Sequence, residues 1–173
     1  MNNKLQVIAF AAMLLAPAGA SAKLGIKSSA FAEGTSIPSK YTCDAQNPPN
    51  PPLQFTGVPA KAKSLVLIME DPDVPKTMIP SGVFDHWMIW DIDPSSKGIK
   101  EGDTNQGLNG MGKAGYVGPC PPDREHRYFF HLYALDTKLG DAKIANRKDL
   151  EAAMKGHVIE QADLMGRYEK MKK

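Results

Sequence analysis

Ser64-Leu65-Val66-Leu67-Ile68-Met69-Glu70-Asp71-Pro72-Asp73-Val74-Pro75 is the stretch that decides how this chain is read. Leu65 to Met69 is an unbroken apolar run of strand length, so it predicts a central strand buried on both faces. Pro72 and Pro75 lack the N–H that a ladder needs, so the strand must stop at the carboxylates. Asp-Pro-Asp is ordinarily an Asp-initiated turn. Here it also delivers two acids, Asp71 and Asp73, to the end of a buried strand. The turn is sharp enough that a cis Asp71–Pro72 bond is expected.

Outward from this run, Phe84 to Asp91 and Arg127 to Leu135 are rich in aromatic and β-branched residues and predict two further strong strands. Leu24 to Ser29, Leu53 to Thr56 and Leu164 to Glu169 predict weaker ones. Between Asp93 and Cys120 lie seven Gly and no sustained periodicity, which predicts a long structureless loop of the functional kind. One helix is expected, from about Arg147 to about Ile159. Asn146 would cap it, with Asp149 three residues on and Leu150, Ala153, Met154 and then His157 or Val158 on one face. Strands dominate and the helix comes late, so the fold class is mainly β: a two-sheet sandwich with a peripheral C-terminal α-helix.

Composition narrows the function. The 173 residues carry 21 Lys plus Arg against 19 Asp plus Glu, a net charge of +2 that excludes a generic nucleic-acid binder. The N-terminus has the plan of a secretory signal peptide. It runs from a basic start at Lys4, through an apolar stretch from Leu5 to Leu15, to an Ala20-Ser21-Ala22 cleavage site. The apolar stretch is too short to span a bilayer, which takes about 20 residues. No other segment is long enough, so no transmembrane segment is expected. Residues 1–22 are thus read as an address and 23–173 as one domain, periplasmic or secreted. In an oxidising compartment the even pair Cys43 and Cys120 favours a disulfide, with two unpaired buried thiols as the alternative.

Several polar groups sit at loop–strand junctions. Asp71 and Asp73 end one strand, His86 lies inside an aromatic one, and His126 and Tyr128 follow the Pro-rich Gly118-Pro119-Cys120-Pro121-Pro122. His126 and Tyr128 are two apart and share a strand face, while Arg127 points the other way. Each alone reads as an ordinary turn or core residue. Together a carboxylate, two imidazoles and a phenol can line a small polar pocket suited to an anion. The same groups could do acid–base work, but no G-x-S-x-G, H-E-x-x-H, Walker loop or dinucleotide fingerprint is present, and the His spacings fit no common zinc pattern. No cofactor and no metal are expected.

The ordered set of Tyr41-Thr42-Cys43-Asp44, Pro48 to Leu53, Gly57-Val58-Pro59, Asp71-Pro72-Asp73-Val74-Pro75, His86-Trp87, Gly118-Pro119-Cys120-Pro121-Pro122, His126-Arg127-Tyr128 and Gly156-His157-Val158 resembles the phosphatidylethanolamine-binding protein family. The likeness is to its bacterial and archaeal, Raf-kinase-inhibitor-like branch, and it runs from about Phe31 to Tyr168. The resemblance implies a two-sheet β fold with a small anion pocket. The ligand-binding residues it implies are Asp71, Asp73, His86, Pro121, Pro122, His126 and Tyr128. The sequence departs from the family's pattern at Phe84, usually Trp, at Met111, often aromatic, at Asp91, often Asn, and at Asp123-Arg124-Glu125, where the loop usually carries Gly. These changes bear on ligand size and selectivity. The family's kinase-regulating and flowering roles belong to eukaryotic branches. The expected function is therefore an exported binding protein for a small anion or phospholipid head group, and not an enzyme. The alternatives are a protein-interaction or inhibitor module using the Asp93 to Cys120 loops and, further off, a hydrolase.

Overall fold

The computed structural model describes residues 22–103 and 106–171. All of the expected signal peptide except Ala22 lies outside the described residues.

Among the described residues seven strands form two antiparallel sheets. In the smaller, β2 (Leu53–Thr56) lies between β1 (Gly25–Ser28) and β5 (Gly98–Ile99). In the larger the order is β4 (Phe84–Ile92), β3 (Ser64–Asp71), β6 (His126–Leu135), β7 (Val158–Tyr168). The one α-helix among the described residues, α1 (Arg147–Met154), packs on the outer face of this sheet.

The continuous apolar run of β3 is explained by what covers each face. Leu65, Leu67 and Met69 join the core between the sheets, with Phe55, Trp87, Tyr128, Phe130 and Leu132. Val66 and Ile68 point the other way and pack with Met88, Leu135, Leu150 and Met154 beneath α1. The alternation continues to the end of the strand and sorts its acids. Glu70 falls on the helix side, where Arg147 donates to it and, at 3.0 Å, to Asp85. Asp71 falls on the inter-sheet side.

Three expectations are corrected. α1 ends at Met154 instead of about Ile159, because Gly156 adopts a φ of 83° and the chain from Val158 onward pairs with β6 from Leu135 back to His126. Long-range pairing thereby overrides a helical pattern that continued on paper, and β7 starts six residues before the expected strand. The Asp93 to Cys120 segment is not structureless: Gly98–Ile99 pairs with β2, and Leu108 bridges both Met88 and Ala114. The Trp87 indole also donates to the Gln106 carbonyl at 2.8 Å, tying this segment to β4. Finally, Asp71–Pro72 is trans. The Asp71 carboxylate accepts the Asp73 N–H at 2.8 Å, an Asx turn that reverses the chain without isomerising the bond.

The N-terminus of α1 is as expected. The Asn146 side chain accepts the Asp149 N–H at 3.1 Å, and Asp149 in return accepts from the Ala145 N–H at 3.1 Å.

The outer face carries a pH-dependent tie. Hydrogen bonds from His131 and Arg147 hold the Glu70 carboxyl at about 2, well below its ordinary 4.5, against the opposing effect of burial. Because the folded value is the lower one, the stabilisation of about 3 kcal/mol is complete above pH 4.5 and is lost as pH falls through about 2. Glu70→Gln is expected to remove that part of the acid transition, measured by urea unfolding between pH 5 and pH 2.

Candidate ligand-binding site

β3, β4 and β6 end together at one edge of the larger sheet, and their terminal inner-face residues meet there. His86 reaches this face through an irregularity in β4. Met69 pairs with Trp87, but Glu70 pairs with Asp85, so one residue of β4 has no partner on β3. That residue is His86. The bulge lets both His86 and Trp87 turn inward, while Asp85 turns out to Arg147. The His86 ring consequently stands edge-on to Phe84 at 4.8 Å and to Tyr128 at 5.3 Å, centroid to centroid.

His86 is locked to the Gly-rich segment by two bonds. The Val117 N–H donates to the His86 carbonyl at 3.0 Å, and His86 Nδ1 lies 2.7 Å from the Val117 carbonyl. A carbonyl only accepts, so Nδ1 carries the proton. Burial pushes the His86 imidazole down to about 4, so the ring is neutral at physiological pH.

Behind it runs a chain of three side chains. His126, fully buried, has Nδ1 at 2.7 Å from Asp71 Oδ2 and Nε2 at 2.8 Å from Asp123 Oδ1. Each gap needs a proton, so this geometry is an imidazole held between two carboxylates. The Tyr128 hydroxyl is also buried and, among the described residues, no group meets it in hydrogen-bond geometry, Asp71 being its nearby carboxylate. Its removal from water and the nearby Asp71 charge raise its pKa far above the usual phenol range.

A cavity of about 280 Å³ opens against these groups. It is lined by Asp71, Val74, Met78, Ile79, Phe84, His86, Val117, Gly118, Cys120 and Pro122. Of the residues picked from sequence, Asp71, His86 and Pro122 thus line the cavity. His126 and Tyr128 stand behind the lining rather than in it. Asp73 is turned away, its carboxylate taken by Arg127 through the backbone N–H at 3.0 Å, Nε at 2.8 Å and a terminal guanidinium nitrogen at 2.7 Å. Pro121 borders a separate cleft with Asp123 and Glu169.

The sequence reading missed the apolar rim of Val74, Met78 and Ile79 and the backbone of Val117 and Gly118. Met78-Ile79 between Pro75 and Pro80 was a faint signal of that rim. Nothing in sequence marked the Val117 carbonyl.

The rest of the wall comes from the second Pro-rich segment. Cys43 and Cys120 are joined by a disulfide, with Cα atoms 5.3 Å apart, and the Cys43 N–H donates to the Pro119 carbonyl at 3.0 Å. Gly118 needs to be Gly because a Cβ there would stand 2.8 Å from the Tyr41 carbonyl oxygen and 3.0 Å from Thr42 Cα. With Pro at 119, 121 and 122, only Gly118 and Cys120 keep an N–H in this loop. Neither donates to a protein acceptor among the described residues. Among those residues no group of three or more His, Cys, Asp or Glu side chains is arranged to hold a metal ion.

Comparison with known proteins identifies the family and the fold. The family model for phosphatidylethanolamine-binding proteins matches residues 27–169. A UPF0098 protein of Chlamydia pneumoniae is 49% identical over 146 residues, covering 83% of this chain and 97% of its own. Another, from Methanothermobacter thermautotrophicus, is 46% identical over 154 residues, covering 84% and 98%. Among solved structures, a phosphatidylethanolamine-binding protein homologue of Chlamydia trachomatis matches with a TM-score of 0.82 at 45% identity, covering 86% of this chain and 99% of that one. Escherichia coli YbcL shares the fold, with a TM-score of 0.71 at 23% identity, over 87% of this chain and all of that one.

Proposed function

The chain belongs to the phosphatidylethanolamine-binding protein family, and from that premise we propose that it binds a small phosphorylated ligand or head group in the cavity between Asp71 and His86. The observation that carries this reading is the unspent polar capacity on the cavity wall. Gly118 and Cys120 are among its lining residues, and among the described residues no protein acceptor takes their N–H groups and no protein group meets His86 Nε2. Such groups recognise a small polar ligand, while Val74, Met78, Ile79 and Phe84 exclude water around it.

Binding, not hydrolysis, is the reading these side chains support. Among the described residues the titratable groups lining the cavity are Asp71 and His86, and its one cysteine sulfur, on Cys120, is spent in the disulfide. The alternative that places a protein-docking function in the Asp93 to Cys120 segment draws support only from the exposed Met111. The segment itself is tied down, with Asn109 buried and donating to the Gly115 carbonyl at 3.0 Å.

Titration of the protein with phosphoethanolamine is expected to give a Kd on the order of 0.1 to 1 mM, since so small a ligand makes few contacts. His86→Leu, which keeps the buried volume and removes the ring nitrogens, is expected to abolish the signal. Equal titration curves for the two proteins would overturn the reading.

We propose further that the protein is exported and works in the periplasm or outside the cell as residues 23–173. The Cys43–Cys120 disulfide supports this, because such bonds persist in oxidising compartments. No helix of the described residues is long and apolar enough to cross a membrane. N-terminal sequencing of the protein recovered from its producing cells is expected to begin at Lys23. A chain that begins at Met1 would refute export by this route.

A further inference from the structure

We propose that the cavity selects a phosphoryl group that still carries a proton and rejects an oxyanion of the same shape and charge that has none. The inference rests on the phosphoryl reading above and adds the protonation state of the ligand.

The tautomer of His86 sets which hydrogen bonds the cavity can make. Its Nδ1 proton is committed to the Val117 carbonyl at 2.7 Å, so Nε2 presents a lone pair. No protein donor meets that lone pair among the described residues. Burial keeps the ring from protonating near neutral pH, so Nε2 remains an acceptor. Beside it stands the Asp71 carboxylate, whose oxygens already receive Asp73 N–H and His126. It too can only accept further bonds while ionised. This corner of the cavity is therefore built from acceptors.

The other groups around His86 do not reverse that character. From β6, His126 has both ring nitrogens engaged by Asp71 and Asp123. Tyr128, on the same strand, is neutral, its hydroxyl buried behind the lining. Phe84, on the strand of His86 itself, is apolar, and no Lys or Arg lines the cavity.

A bare oxyanion oxygen facing this corner would set lone pair against lone pair. A P–OH group would instead donate to Nε2 or to Asp71. Its remaining oxygens would be left to the N–H groups of Gly118 and Cys120. A singly protonated phosphoryl group has this mix of donor and acceptors, and a sulfuryl group does not.

Methyl phosphate and methyl sulfate make the test. At pH 5 they match in size and in single negative charge and differ by one hydroxyl proton. Titrations followed by the imidazole ¹⁵N signals of His86 locate the ligand and give the affinity. Methyl phosphate is expected to bind at least about 100-fold more tightly than methyl sulfate, as sites that hydrogen-bond a ligand hydroxyl discriminate strongly against its loss. Its affinity is expected to fall about tenfold per pH unit above about 6, where a phosphate monoester loses its second proton. Methyl sulfate has no proton to lose, so its curve reports any change in the protein's own charge. Methyl sulfate binding within about threefold of methyl phosphate at pH 5, or methyl phosphate binding more tightly at pH 8, would overturn this inference and leave the phosphoryl reading standing. If neither ligand moves the His86 signals at pH 5, the phosphoryl reading itself fails.

Discussion

Reduction of the Cys43–Cys120 bond is expected to lower stability by about 4 kcal/mol. The bond closes a loop of 77 residues, and restricting so long a loop in the unfolded chain gives a stabilisation of about that size, as an upper figure. It joins two segments that have little ladder of their own, the turn ending at Tyr41 and the Pro-rich loop at 118–122. The bond also holds part of the cavity, since Cys120 and its neighbours Gly118 and Pro122 line it. Urea unfolding with and without a strong thiol reductant measures the loss, with Cys43→Ser/Cys120→Ser as the permanent counterpart. Phosphoethanolamine affinity is expected to fall in parallel as the wall loosens. An unchanged unfolding midpoint after verified reduction would show that the walls hold without the bond.

Asp71→Ala is expected to cost about 2 to 4 kcal/mol, because it leaves a buried imidazole nitrogen without its partner and the Asp73 N–H without its acceptor. Asp71 is 3% exposed and its His126 partner is wholly buried. The substitution leaves His126 Nδ1 facing no acceptor, in a place water does not reach, and also removes the acceptor of the Asp73 N–H that forms the turn. Asp123→Ala makes the informative contrast. Asp123 faces the other nitrogen of the same imidazole at 2.8 Å, but its side chain is 47% exposed, so water can replace it. Its loss is expected to be much the smaller of the two in denaturant titrations. Equal losses would mean that the buried bond has no greater hold on His126 than the exposed one.

Part of the cavity's lining, Asp71, His86 and Pro122, was legible in sequence, because these residues lie at the ends of strongly patterned strands or in the Pro-rich loop. Asp71 and His126 were readable as junction residues, and β6 begins at His126. The site's geometry was not legible. Asp73 looked equivalent to Asp71, two residues apart at one turn, yet Arg127 captures it on the outside. Alternation along β4 would place His86 and Trp87 on opposite faces. The bulge turns both inward, and only the pairing of β4 with β3 reveals it. The early end of α1 has a similar cause, because the apolar spacing from Leu150 to Val158 also fits a helix that continues. Pairing with β6 claims Val158 to Tyr168 instead.

Sequence by itself determined the mainly-β class, the central buried strand ending in carboxylates, the cap of the helix and the two Pro-framed cysteine segments. Each of these depends on local physics: alternation, the missing N–H of proline, a side-chain cap, an even count of thiols. Tertiary structure alone decided which acid faces the cavity, which nitrogen of His86 keeps its lone pair, and that Gly118 and Cys120 hold uncommitted N–H groups. Those outcomes depend on contacts between residues far apart in the chain, such as His86 with Val117 and Asp71 with His126, which no local pattern encodes.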